Sequence, residues 1–261
     1  MYLASWEGYL SNTLYDKLFA EFKNYYEHAI MLDPSVYTER KYTRSLDELL
    51  ATHLALAYAN LDLKIGDPLF DLFWKTPNAT RHYEFASFLG RSCLTRDSAG
   101  DEWLKENKVS KEKLIEFWNW MLATDIPIDA KAFAGFGFWV NPDKEVIDEK
   151  IIVKNLVATL KKSNGEIDWD YGLMQRLKVF AGIDPVNTLE IIKNYLLLDG
   201  ELNPHRRSPL FSLENEIKEA LVIIYKDPTL KSAVKDLVDI LIEKGSSSFW
   251  GLKNVLGGIS K

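Results

Sequence analysis

Apolar residues recur at helical spacing along nearly the whole chain, and no segment alternates apolar with polar residues over several positions as a half-buried strand does. Leu14, Leu18, Phe22 and Tyr25 share one helical face. So do Leu46, Leu49, Leu50, His53, Leu54 and Ala57, and later Leu114, Phe117, Trp118 and Met121. Leu189, Ile192, Tyr195 and Leu196 repeat the spacing, as do Leu230, Val234, Leu237, Val238 and Leu241. The punctuation agrees. Asp67-Pro68, Asp184-Pro185 and Asp227-Pro228 each set a capping carboxylate before a proline at the first helical position, where the missing N–H would be unpaired anyway. Ser110, Asp168 and Ser212 are further N-cap candidates, and Gly66, Gly165, Gly200 and Gly245 stand where helices should stop. The pattern predicts helices over residues 12–31, 45–62, 68–75, 78–94, 110–123, 128–140, 147–163, 169–182, 185–199, 212–226, 228–244 and 247–257.

From Ser110 onward these segments pair, 110–123 with 128–140, 147–163 with 169–182, 185–199 with 212–226, and 228–244 with 247–257. Each pair takes roughly 40 residues, the length of a HEAT-type repeat. The fold expected is therefore all-α: a right-handed array of antiparallel helix pairs, a HEAT-like α-solenoid of about 12 helices. The longer connection around Thr95–Lys108 suggests an N-terminal helical subdomain over residues 1–100. The helical-pair repeats then occupy 101–261, packed with it as one continuous unit.

A chain of 261 residues, 47% apolar and 13% aromatic, has ample core material without a disulfide or metal staple. Its single cysteine, Cys93, forms no intrachain disulfide. The first residues lack the basic and apolar blocks of a secretory signal, and no run approaches ~20 apolar residues, so no membrane span is expected and the cytoplasm is the expected location. The net charge is -6. Residues 1–100 hold 10 basic and 13 acidic side chains, so neither part is a basic module and nucleic acid is a disfavoured partner.

No signature of chemistry emerges. A phosphate loop is absent, and Gly135-Phe136-Gly137-Phe138-Trp139 lacks the third glycine and preceding strand of a dinucleotide loop. It reads instead as two small residues that let a neighbour pack closely. His28, His53, His82 and His205 have no ligand spacing, so no metal is expected. Asp97, Asp101 and Glu102 read as loop acids, and Asp168 and Asp170 as acids at a helix start. Neither a catalytic residue nor a cofactor is expected. Two features remain. His205-Arg206-Arg207 lies between two helices, where guanidinium groups suit phosphate or an acidic partner surface. Phe117, Trp118, Trp120, Phe133, Phe136, Phe138 and Trp139 are too many rings for one face of two helices. Most should pack as core, with Trp120 and Phe138 the candidate anchors for a partner.

A set of positions recurs in a familiar order: His53-Leu54-Ala55-Leu56-Ala57-Tyr58, Asp67-Pro68-Leu69, Phe73-Trp74, Arg81 and Phe88-Leu89-Gly90-Arg91. It continues with Phe117-Trp118-Asn119-Trp120, Phe133 to Trp139, Asn164-Gly165-Glu166-Ile167-Asp168 and Gly200-Glu201-Leu202. This resembles the C-terminal α-helical region of large prokaryotic NTPases of the STAND and NACHT type and of related sirtuin-like antiviral defence proteins. The resemblance implies a non-catalytic sensor that binds a phage or host protein, or neighbouring domains of its own polypeptide. It carries over no catalytic residue, and any enzymatic activity would reside in a domain absent from these 261 residues. Two other readings stay open: a self-associating scaffold, and a helical enzyme with an unrecognised site.

Overall fold

The computed structural model describes residues 23–31, 45–60, 63–93, 111–140, 147–198, 201–202 and 210–257. The described residues are all-α but for one two-residue antiparallel pair. The helices are α1 (23–31), α2 (Leu46–Asn60), α3 (Pro68–Lys75), α4 (Ala79–Phe88), α5 (Lys111–Ala123) and α6 (Ala130–Ala134). They continue with α7 (Glu149–Lys162), α8 (Asp170–Ile183), α9 (Pro185–Leu196), α10 (Leu210–Ile224), α11 (Lys231–Glu243) and α12 (Phe249–Leu256). A π-helical turn, Leu89–Cys93, extends α4, and a 3-10 segment, Gly135–Trp139, extends α6. After α9, β1 (Leu197–Leu198) pairs with β2 (Glu201–Leu202). None of the described helices is long and apolar enough to cross a membrane.

Contacts divide the chain into two compact units, Met1–Trp139 with Asp143–Val146, and Val140–Pro142 with Ile147–Lys261. The connection where the sequence suggests a boundary near residue 100 lies outside the described residues.

Side-chain caps mark five of the helix starts. Ser45 and Glu48 form a reciprocal capping box at α2, Glu48 N–H donating to Ser45 Oγ at 3.2 Å and Ser45 N–H to Glu48 Oε2 at 2.9 Å. Asn78, Asp129, Asp148 and Asp184 each accept a backbone N–H from the first turn of α4, α6, α7 and α9. The Asp-Pro expectation thus holds at Asp184, while two other sites differ. Asp67 occupies the N-cap position of α3, but its carboxylate turns back to accept from Lys64 N–H at 2.8 Å. Asp227 caps a turn of its own, accepting from Thr229 N–H and Oγ1–H, and α11 starts only at Lys231. Those two donors hold the exposed Asp227 carboxyl below its usual range. Ser212 lies inside α10 rather than at its cap. Gly165 and Gly245 end α7 and α11 with φ of 79° and 99°, as stop residues in the left-handed region do, whereas Gly66, φ 90°, ends no helix and lies in the turn before α3.

In the first unit α4 is central, packing on α2, on α6 and on the 3-10 segment. Tyr58, Phe70, Phe73, Trp74, Phe85, Phe117, Trp118, Phe136 and Trp139 are fully buried and form a continuous aromatic core. Most pairs are tilted or edge-on, with centroids 4.9–6.2 Å apart, which suits the ring quadrupoles. Backbone glycines permit the closest approaches. A Cβ at Gly135 would stand 3.2 Å from the Ser87 backbone nitrogen, so α6 meets α4 almost backbone to backbone. A Cβ at Gly90 would lie 2.8 Å from Trp139 Nε1 and nearer still to its Cδ1. The indole is pinned there because Nε1–H donates to the Ala86 carbonyl at 2.9 Å. Gly90→Ala should therefore cost about 1–3 kcal/mol as overpacking in a rigid ring cluster. Urea unfolding checks this, and a stability equal to wild type would contradict the placement of Trp139.

In the second unit the most extensive packing joins alternate helices, α8 with α10 and α7 with α9, with neighbours in sequence packing less. Apolar faces explain it: Ile152, Val153, Leu156 and Leu160 of α7 and Leu189, Ile191, Ile192 and Leu196 of α9 are buried. Arg176 of α8 is buried against the Phe180 ring and donates to Glu149 Oε1 at 2.7 Å.

Candidate interaction surfaces

The groups with chemical potential inside the first unit are occupied by its core. His82 is buried and stacks on Trp74 at 4.6 Å, with Nε2 3.2 Å from the Phe73 carbonyl. A carbonyl only accepts, so the neutral ring carries its proton on Nε2. Burial pushes the His82 pKa down to about 4, the adjacent Arg81 charge adding to the shift and the Phe73 carbonyl and Asp129 opposing it. His53 is buried edge-on to Tyr26, and burial likewise pushes it down to about 4. Neither ring nitrogen of His53 has a hydrogen-bond partner among the described residues. Among those residues no cluster of three or more His, Cys, Asp or Glu side chains is placed to hold a metal.

The residues singled out from sequence fall in different places. His205, Arg206 and Arg207 lie outside the described residues, as do Asp97, Asp101 and Glu102. Trp120 is half-buried, edge-on to Phe70 at 4.9 Å and to Trp74 at 5.2 Å. Phe138 is half-buried, with the Arg91 guanidinium 5.3 Å over its ring. Both lie in the first unit. Asp170, flagged as half of an acid pair, accepts from Tyr195 O–H at 2.8 Å and so ties α8 to α9.

Two surfaces of the second unit present large apolar rings to solvent, and sequence reasoning singled out neither. The first is the turn between α7 and α8. Gly165 N–H closes α7 on the Leu160 carbonyl at 2.7 Å. The chain then passes Asn164 and Trp169 in left-handed conformations, φ 55° and 53°. A bulky residue in that region costs about 1–2 kcal/mol. Yet Trp169 is 54% exposed, as is Tyr171 in the first turn of α8. The signal available from sequence was a tryptophan at a helix start, off the buried stripe, between the acids Asp168 and Asp170. The second surface is a groove between α11 and α12, beside Trp250, which is 52% exposed. Compared with protein-family models, with curated proteins and with solved structures, the chain matches none of them.

Proposed function

We propose that this chain is a non-catalytic protein-recognition module, the C-terminal helical part of a prokaryotic antiviral defence NTPase working in the cytoplasm. Trp169 carries the reading. An indole held in a disfavoured backbone conformation while more than half exposed adds little to the core. Rigid exposed tryptophans are the residue type that anchors protein interfaces. The alternate-helix packing of α7 to α10 supports a HEAT-like stacking of right-handed helix pairs, which offers such side chains on an extended surface. The order of aromatic and glycine positions supports the defence setting. Trp120 and Phe138, being half-buried, give a self-associating scaffold little to work with.

A photo-crosslinking residue placed at 169 should capture a phage or host protein that the same probe at the exposed Val222 does not. Purified partner should then bind wild type but at least about tenfold more weakly to Trp169→Ala. That variant, freed of a β-carbon substituent but still left-handed, should keep its folding stability within about 1 kcal/mol. Equal capture at both positions, or equal affinity of wild type and Trp169→Ala, would refute the role of this turn. A phosphate loop encoded upstream in the same reading frame is the expected finding for the defence setting.

A further inference from the structure

We propose that Asn164 is a site of spontaneous deamidation, held unreacted by the hydrogen bond that closes α7, and that its conversion to isoaspartate loosens the start of α8. Asn164-Gly165 is the one Asn-Gly step in the whole sequence. A glycine after asparagine sets no β-carbon in the way when its backbone nitrogen turns on the asparagine side chain. The Asn164 side chain is exposed, so water reaches its amide.

The reaction needs only water. The Gly165 nitrogen attacks Asn164 Cγ, a new N–Cγ bond forms and the Cγ–Nδ2 bond breaks. The side-chain nitrogen leaves as ammonia, carrying the proton that Gly165 gives up. Water then opens the cyclic imide. Hydrolysis at Cγ leaves aspartate. Hydrolysis at the main-chain carbonyl leaves isoaspartate, whose main chain runs through Cβ and Cγ and is one carbon longer.

The closed turn withholds the nucleophile. Gly165 N–H donates to the Leu160 carbonyl at 2.7 Å, the bond that ties a chain back across the last turn of its helix. That N–H must lose its acceptor before it can lose its proton. Ser163 N–H donates to the Thr159 carbonyl at 2.9 Å and Glu166 N–H to the Ser163 carbonyl at 3.1 Å, and Ile167 is buried just beyond. Asn164 stands at φ 55°, a conformation that asparagine tolerates better than most residues. The reaction therefore proceeds from molecules in which this turn has opened, and its rate follows their population.

The two products leave different turns. Aspartate at 164 keeps the left-handed conformation open to it and adds a charge at the negative end of α7, where Lys161 and Lys162 of the last turn offset it. Isoaspartate lengthens the main chain between Leu160 and Gly165, so the closing bond loses its register. The slack passes to Trp169, whose own left-handed conformation sets the first turn of α8, Gly172 N–H donating to the Trp169 carbonyl at 3.0 Å.

The test incubates the full chain at neutral pH beside the same chain unfolded in urea and a peptide of residues 161–168. Trypsin cleavage after Lys162 and Arg176 releases Asn164 as the only asparagine of its fragment, so the mass gained on losing the amide is assigned directly. The unfolded chain should deamidate as fast as the peptide, and the folded chain at least about tenfold more slowly. Ile167→Ala, which loosens the turn, should speed the folded chain several-fold, and Asn164→Gly should give no such product. In the isoaspartate fraction, separated by chromatography, the Gly165 and Gly172 amides should exchange hydrogen at least about tenfold faster than in the unmodified chain, as read by NMR. Asn164→Asp should leave Gly172 as protected as in wild type. A folded chain that deamidates as fast as the peptide, an unfolded chain that does not deamidate, or a folded Ile167→Ala no faster than wild type would overturn the gated site. If Ile167→Ala does not fold, the comparison of folded with unfolded wild type decides alone. Unchanged exchange at Gly172 in the isoaspartate fraction, or equal loss of protection in Asn164→Asp, would overturn the effect on α8. None of these readouts involves a binding partner, so they stand or fall apart from the recognition role of Trp169.

Discussion

Arg81→Met is expected to destabilise the first unit by about 3–5 kcal/mol, the cost of breaking a buried ion pair from one side. Arg81 is almost fully buried, and its guanidinium organises three elements at once. Nε donates to Asp47 Oδ1 of α2 at 2.6 Å. Nη1 donates to the Ile30 carbonyl at 2.6 Å and Nη2 to the Ala29 carbonyl at 3.3 Å, both in α1. Methionine matches the stem in volume but leaves Asp47 and two carbonyls without their donor. Lysine should rescue little, since a point charge on a flexible stem cannot donate in three directions from one plane. The measurement is urea unfolding followed by tryptophan fluorescence, with the Asp47→Leu/Arg81→Met double variant closing the cycle. Removal of both partners should recover part of the loss, because the carboxylate is then no longer stranded. A loss below about 1 kcal/mol in Arg81→Met would mean that the three contacts are incidental.

The second large effect is acid lability confined to the first unit. Burial lowers His53 and His82 from the ordinary value of 6.5 to about 4, so the unfolded chain binds these protons more readily than the folded one. Stability is then full above pH 6.5, falls as pH drops through the window from 6.5 to 4, and levels below it as far as these groups are concerned. At about 1.36 kcal/mol per pH unit, each ring contributes a loss on the order of 3 kcal/mol. The two rings have different surroundings and should separate on mutation. His53→Leu removes two ring nitrogens with no partner among the described residues and should both stabilise the fold at neutral pH and flatten the acid limb. His82→Phe should flatten the limb too, but loses the contact to the Phe73 carbonyl and so should be weaker at neutral pH. Unfolding curves at a series of pH values decide the matter. A wild-type stability independent of pH across that window, or a double variant as acid-labile as wild type, would exclude the histidines as its source.

Helix positions and helix type were legible in the chain itself. The apolar stripe of Leu69, Phe70, Phe73 and Trp74 is a short-range pattern, and Asp184-Pro185 is a local start signal whose cap bond spans three residues. Such features need no knowledge of the rest of the molecule. Even here locality has limits: Asp67 and Asp227 look like Asp184 in sequence, but their carboxylates found nearer donors in the preceding or following turn. Gly135 was readable as a close-packing glycine, though not what it would touch.

What tertiary structure alone decided is which face of each helix is covered, and by what. Nothing in the surroundings of Arg81 or His82 in sequence marks them as interior, since their partners come from α1, α2 and α3. The aromatic residues of α5, α6 and the 3-10 segment divide between fully buried Trp118, Phe136 and Trp139 and half-buried Trp120 and Phe138, a division that neighbouring segments and not the local pattern set. Trp169 and Trp250 have the composition of core residues and the exposure of surface ones, while Lys235 and Lys253 read as ordinary helical lysines until two helices bring them to one groove. Period and capping act over a few residues and so can be read from a string. Burial is the outcome of contacts between segments tens of residues apart, and only the packed chain contains it.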